Sequence, residues 1–198
     1  VFDAVSYAHR NLVVHRDLKP ANILVSREGA PKLLDFGVAK VLDPSLAESA
    51  RTLPGAMTLD YASPEQARGV AVTTASDVYS LGVILFELLT RGSKPYQPTG
   101  ESIPSRLNAI LQQEPRRPSA AAESAEVARE LRGELDNVVL RAMAKEPDRR
   151  YASVDQFRAD VEAYLDGRPV AAQGASVWYL GRKLLRRHWL PVGAAAAV

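Results

Sequence analysis

Apolar and polar positions alternate along this chain with periods that predict a mostly helical protein. Phe2, Val5 and Ala8 fall on one face of a helix that runs to about Arg10 and has no start signal. Leu12-Val13-Val14 is a short β-type run. Ile23-Leu24-Val25 and Lys32-Leu33-Leu34 flank the turn Arg27-Glu28-Gly29-Ala30 and predict a small hairpin, with Leu24 and Leu34 packed in the core. Residues 38–63 carry no such period and include Pro44, Pro54 and Gly55. Irregular segments of that length in compact domains are usually functional.

The strongest helical signal spans Thr73 to Thr90, with Thr74 or Ser76 as its cap and Arg91-Gly92 beyond its end. Val78, Leu81, Val83, Ile84, Leu85, Leu88 and Leu89 make it apolar nearly all round, the pattern of a helix at the centre of a domain. Residues 95–104 form a loop. Ile103 to Gln113 is a helix, broken by Pro115 and Pro118. Ala120 to Arg132 is alanine-rich and charged and predicts a surface helix. Leu135 to Ala144 is a helix with Leu135, Val138, Val139 and Met143 inward. Ser153-x-x-Gln156 is a capping-box pattern opening a last helix, with Val154, Phe157, Val161, Tyr164 and Leu165 on one face and Gly167 after it.

Charge divides the chain. No Asp or Glu follows Asp166, while Arg168, Arg182, Lys183, Arg186 and Arg187 do. Residues 1–166 hold the other 20 of the 25 basic residues against all 23 acidic ones, a balance of −3 beside a tail of +5. A nucleic-acid surface would need a basic face interleaved with aromatics on the body, and the sequence offers none. With 46% hydrophobic residues in 198, a sizeable core is available and disorder is not the default. The absence of cysteine excludes disulfides and thiolate chemistry. Trp189 to Val198 has no charge and predicts the start of a transmembrane helix, although a full span needs about 20 such residues. The basic residues before it would keep the body in the cytoplasm.

The chemistry concentrates in His15-Arg16-Asp17-Leu18-Lys19-Pro20-Ala21-Asn22, an H-R-D-L-x-x-x-N stretch, with Asp35-Phe36-Gly37 eighteen residues after Asp17. Either triplet alone is a weak signal. Together, in this order and spacing, they resemble the catalytic loop and metal-binding triplet of protein kinases. Tyr61-Ala62-Ser63-Pro64-Glu65 is similar to the A-P-E motif that closes the activation segment, and Asp77-Val78-Tyr79-Ser80-Leu81-Gly82 resembles the D-x-W-S-x-G helix start. Lys19 resembles the serine/threonine branch, and the run Tyr61 to Gly69 looks like its bacterial members.

The resemblance implies an α+β fold, mostly α-helical: a protein-kinase-like C-terminal lobe over residues 1–166 with a small hairpin and the N-terminal lobe missing. No G-x-G-x-x-G loop or V-A-I-K strand is present. It implies ATP and Mg2+ as cosubstrate and metal, and protein Ser/Thr hydroxyls as acceptors. Asp17 would be the base and Lys19 the γ-phosphate contact, with Asn22 and Asp35 as metal ligands. Arg16 would receive a phosphate on the activation segment, for which Thr52 is preferred over Ser45 and Ser49. Thr58 would meet Asp17 and Lys19. Glu65 would pair with Arg150, and Asp77 would hold the catalytic loop from below. Residues 167–188 would be a basic juxtamembrane segment and 189–198 the start of a single anchor. A fragment of this kind would be inactive alone. Two other classes remain open, a pseudokinase-like interaction module and a small-molecule phosphotransferase. The intact Asp17, Asn22 and Asp35 argue against the first, and the Ser-Pro-Glu segment against the second.

Overall fold

The computed structural model describes residues 1–34 and 59–174. Helix α1 (Phe2–Arg10) leads into an extended loop, a 3-10 turn (Pro20–Asn22) and a hairpin of β1 (Ile23–Val25) and β2 (Pro31–Leu33). The two strands are antiparallel, with Ile23 opposite Leu33 and Val25 opposite Pro31. Next come α2 (Pro64–Arg68), α3 (Thr74–Leu89), α4 (Ile103–Gln112), α5 (Pro118–Ala121), α6 (Ala125–Leu131), α7 (Glu134–Ala142) and α8 (Val154–Leu165). Among the described residues the protein is mostly helical with one two-stranded sheet.

Helix α3 is the hub. Val78, Leu81 and Ile84 join one buried cluster with Val5, Leu18, Val138 and Phe157. Tyr79, Val83 and Phe86 join a second with Tyr96, Ile110, Val139 and Met143. A helix apolar on nearly every side can serve two cores at once. Gly82 lets α7 come close, since a Cβ there would lie 2.9 Å from both Ala142 Cβ and Met143 Cγ. Phe2 of α1 meets Phe157 of α8 edge-on at 5.2 Å, and Phe157 stacks on Tyr151 at 5.1 Å.

The N-cap of α3 is Thr73 rather than Thr74 or Ser76. Its side chain accepts from Ala75 N while Ser76 reaches back to the Thr73 amide. Four other expectations change. Residues 12–14 form no strand: among the described residues the only sheet is β1–β2, and Leu12, at φ 60, projects into solvent. Leu24 and Leu34 are 54% and 38% exposed, not core, because the strand pleat turns Ile23 and Leu33 to the core instead. The expected surface helix over 120–132 is two short helices. Ala121 and Leu131 are buried, since the segment packs on α7 and Asp136 accepts from Ser119 N and Oγ at 2.9 and 2.7 Å. Leu165 is 75% exposed at the last turn of α8, where Asp160 and Ala163 face inward.

After α8 the chain folds back. The buried Asp160 carboxylate accepts from Tyr151 Oη, Ala171 N and Ala172 N at 2.8, 2.6 and 2.9 Å. Val170 enters the first core cluster, and Asn137 Nδ2 donates to Gln173 Oε1 at 3.2 Å. Among the described residues no helix is long and apolar enough to cross a membrane. The basic segment around 182–187 and the apolar run 189–198 lie outside them.

Candidate active site

The loop after α1 owes its shape to one buried carboxylate. Asp77, in the first turn of α3, accepts from His15 N at 2.8 Å and from Arg16 N at 2.9 Å. His9 Nε2 of α1 meets the same carboxylate at 2.8 Å. Arg16 sits at φ 69, a left-handed conformation that costs a non-glycine residue about 1–3 kcal/mol when imposed. Its amide is held by Asp77, and its carbonyl accepts from Gln66 Nε2 of α2 at 2.7 Å. Strain persists where the surroundings fix both flanking peptide groups.

His15 is fully buried and works as a second brace. Asp17 N donates to its Nδ1 at 3.3 Å, which assigns the ring proton to Nε2 and directs it to the Leu34 carbonyl at 3.1 Å. Leu34 N in turn donates to Asn22 O at 2.8 Å. The end of β2 is therefore tied to both ends of the loop.

Within that frame three polar side chains converge. Lys19 Nζ lies 2.8 Å from Asp17 Oδ2. Asn22 Nδ2 donates to Asp17 O at 2.8 Å and to Asp17 Oδ2 at 3.2 Å. The amide nitrogen is thus turned to Asp17, and the carbonyl oxygen is the acceptor of Asn22 that a cation could use. The Nε of Arg16 is buried and meets no hydrogen-bond partner among the described residues.

A second buried network lies behind α2. Ser63 caps this helix in a reciprocal box with Gln66, and Pro64 opens it. Arg150 Nη1 and Nη2 donate to Glu65 Oε1 and Oε2 at 2.7 and 2.8 Å. The other guanidinium hydrogens go to the carbonyls of Ala144, Ala75 and Lys145 at 2.7, 2.8 and 3.0 Å, so all five donors are used. Ser76 Oγ adds a 2.6 Å bond to Glu65. Burial pushes the Glu65 carboxyl up, but Arg150 and Ser76 outweigh it and hold the group below its ordinary range.

Arg16, Asp17, Lys19 and Asn22 are thus gathered on one loop, with Asp77 beneath it and Glu65 with Arg150 beyond α2. Asp35, Thr52 and Thr58 lie outside the described residues. No group of three or more His, Asp or Glu side chains able to hold a metal occurs among the described residues. The sequence expectations gave no role at this site to His9, the His15 ring or Gln66, and read Ser76 only as a helix cap. The S-x-x-Q spacing of Ser63 and Gln66 was a readable cap signal, but nothing local announces that Gln66 reaches a carbonyl fifty residues earlier.

The protein kinase domain family matches residues 1–160. The chain belongs to that family. It is 41% identical over 175 residues to a probable serine/threonine-protein kinase of Streptomyces coelicolor, covering 88% of this chain and 25% of that protein. It is 41% identical over 169 residues to the serine/threonine-protein kinase PknB of Mycobacterium tuberculosis, covering 85% and 26%. A probable PknB of Bifidobacterium longum is 39% identical over 173 residues, covering 87% and 24%. The kinase domain described here therefore spans about a quarter of the length of these curated relatives.

Proposed function

We propose that this protein is a serine/threonine protein kinase, with residues 1–166 forming the C-terminal lobe of its catalytic domain. The observation that carries this is the Asp17–Lys19–Asn22 cluster on a strained loop held from two sides by Asp77 and Gln66. The donor set fits the chemistry. Bound Mg-ATP would supply the γ-phosphoryl group and the cation that neutralises its charge. Asp17 accepts the proton of the attacking Ser or Thr hydroxyl. Lys19, 2.8 Å from the Asp17 carboxylate, would neutralise charge on the transferred group. Asn22, whose amide nitrogen is engaged by Asp17, would offer its amide oxygen to the metal, and Asp35 would complete the set. Rigid placement of the base matters, because catalysis of phosphoryl transfer is mainly positioning and electrostatics.

The buried Nε of Arg16, without a hydrogen-bond partner among the described residues, supports control by phosphorylation of the activation segment, for which Thr52 would be the preferred acceptor, and Thr58 would meet Asp17 and Lys19. The tail, by its sequence alone, supports a single membrane anchor with the kinase domain in the cytoplasm.

The test uses the protein expressed from its complete reading frame, with Mg-ATP and a generic Ser/Thr protein acceptor. Asp17→Asn is expected to lower the rate by about 10²–10⁴-fold while leaving the melting temperature near that of the wild type. An inactive wild type that is folded and phosphorylatable would instead favour an interaction module.

A further inference from the structure

Ser63 and Gln66 share a reciprocal cap at the start of α2, a pattern that glutamate and glutamine both satisfy. The choice of glutamine has a reason outside the helix. Gln66 Oε1 accepts from Ser63 N at 3.0 Å and from Ser63 Oγ at 3.1 Å, so Nε2 is left for another partner. It donates to the Arg16 carbonyl at 2.7 Å. A glutamate could make the cap, but its carboxylate has no hydrogen to give to that carbonyl.

The carbonyl of Arg16 and the amide of Asp17 belong to one planar peptide group, so turning one turns the other. This group follows a residue at φ 69, whose own amide is fixed by Asp77. On its Asp17 side the group has only the 3.3 Å bond to His15 Nδ1. The 2.7 Å bond from Gln66 is the shorter hold. Gln66 is in turn carried on a seated element. Glu65 takes Ser76 and Arg150, and Ser80 Oγ of α3 donates to the Tyr61 carbonyl at 2.9 Å. Tyr61 Oη donates to Glu87 Oε2 at 2.6 Å, while Lys94, at the edge of a cavity of about 150 Å³, donates to Tyr61 Oη at 2.9 Å and to Glu87 Oε1 at 2.8 Å. The donor therefore arrives at a fixed place only when α2 is formed and docked on α3.

Resting on the kinase reading above, we propose that Gln66 is a positioning residue for Asp17: its carboxamide N–H holds the Arg16–Asp17 peptide plane and makes the posture of the base conditional on the seating of α2. The cap and the clamp are two separate tasks of one side chain, and the second explains why an amide stands at this position.

The test compares wild type, Gln66→Glu and Gln66→Met, each from the complete reading frame, with Mg-ATP and a generic Ser/Thr protein acceptor. Gln66→Glu keeps the cap and loses the donor, whereas Gln66→Met loses both. Gln66→Glu is expected to lower kcat about tenfold, the scale of one hydrogen bond to a partly buried carbonyl when its loss is felt in the chemical step. The KM values for ATP and acceptor should stay within about twofold, since the binding groups are untouched. The melting temperature should stay at that of the wild type, and hydrogen exchange in the loop from His15 to Asn22 should quicken. Gln66→Met should lose kcat to a similar extent and lower the melting temperature as well. A role confined to the cap gives a different pattern, with loss in Gln66→Met alone. A Gln66→Glu variant that keeps kcat, or whose kcat falls only together with its melting temperature, overturns the inference and leaves the kinase reading intact. A wild type that phosphorylates nothing, even where Gln66→Glu quickens exchange in the loop, removes the kinase reading and the positioning role with it.

Discussion

Two clusters in this kinase domain pair a cation with carboxylates at almost the same distances and do different work. Arg150 and Glu65 are 0% and 6% exposed, and Arg150 spends its three other donors on backbone carbonyls. Lys94 and Glu87 are 36% and 22% exposed beside a cavity. Breaking a buried pair leaves a charge stranded without water, whereas a rim pair is rescued by solvent. Burial, rather than the hydrogen-bond length, decides that the first holds elements together and the second can be changed at little cost to stability.

The sharpest way to break the comparison is at the buried pair. Arg150→Ala should cost about 3–5 kcal/mol, read as a fall of roughly 6–20 °C in the melting temperature of the intact protein. A double change to Glu65→Leu with Arg150→Met should recover much of that loss, since no charge is then left unpaired. Little recovery would mean that the carbonyl bonds of Arg150, not the ion pair, carry the effect.

Acid probes the same pair with a definite sign. Glu65 is held below its ordinary value of 4.5, so its contribution to stability is complete above that pH and disappears as pH falls through the lower folded-state value. Chemical denaturation from pH 6 to pH 3 should show less loss for Glu65→Gln than for the wild type. A smaller effect is expected at the helix crossing. Gly82→Ala forces Cβ into Ala142 and Met143 and should cost about 1–3 kcal/mol by overpacking, partly offset by about 1 kcal/mol of helix propensity. The smallest belongs to the rim. Lys94→Met should change thermal stability by under about 1 kcal/mol, and a larger loss would make that cluster a structural one like its buried counterpart.

Much of this was legible in sequence because it is local or tied to a motif. Period and caps placed α1, α3, α4, α7, α8 and the hairpin near their observed bounds. The H-R-D-L-x-x-x-N spacing placed Asp17, Lys19 and Asn22 on one loop. What escaped depends on tertiary partners. Whether Leu24 or Ile23 turns inward is set by which face of a two-stranded hairpin meets the body, and both are apolar. The inward turn of Asp160 and outward turn of Leu165 reverse simple hydropathy, because two backbone amides beyond the helix need an acceptor. The clamp of Gln66 on Arg16, and the seat of Lys94 between residues 7 and 33 positions away, have no counterpart in any short window.

The Asp160 carboxylate has a mechanical consequence. Tension applied to the chain beyond Gln173 would not first unwind α8 from its free end. It would load the bonds of Ala171 and Ala172 to Asp160 together with the seat of Val170, and pass through Tyr151 and Phe157 toward α1. Helix α1 carries His9, and His9 touches the carboxylate that shapes the catalytic loop. The far end of the domain and the loop that carries Asp17 are therefore linked through hydrogen bonds, ring contacts and the length of α1.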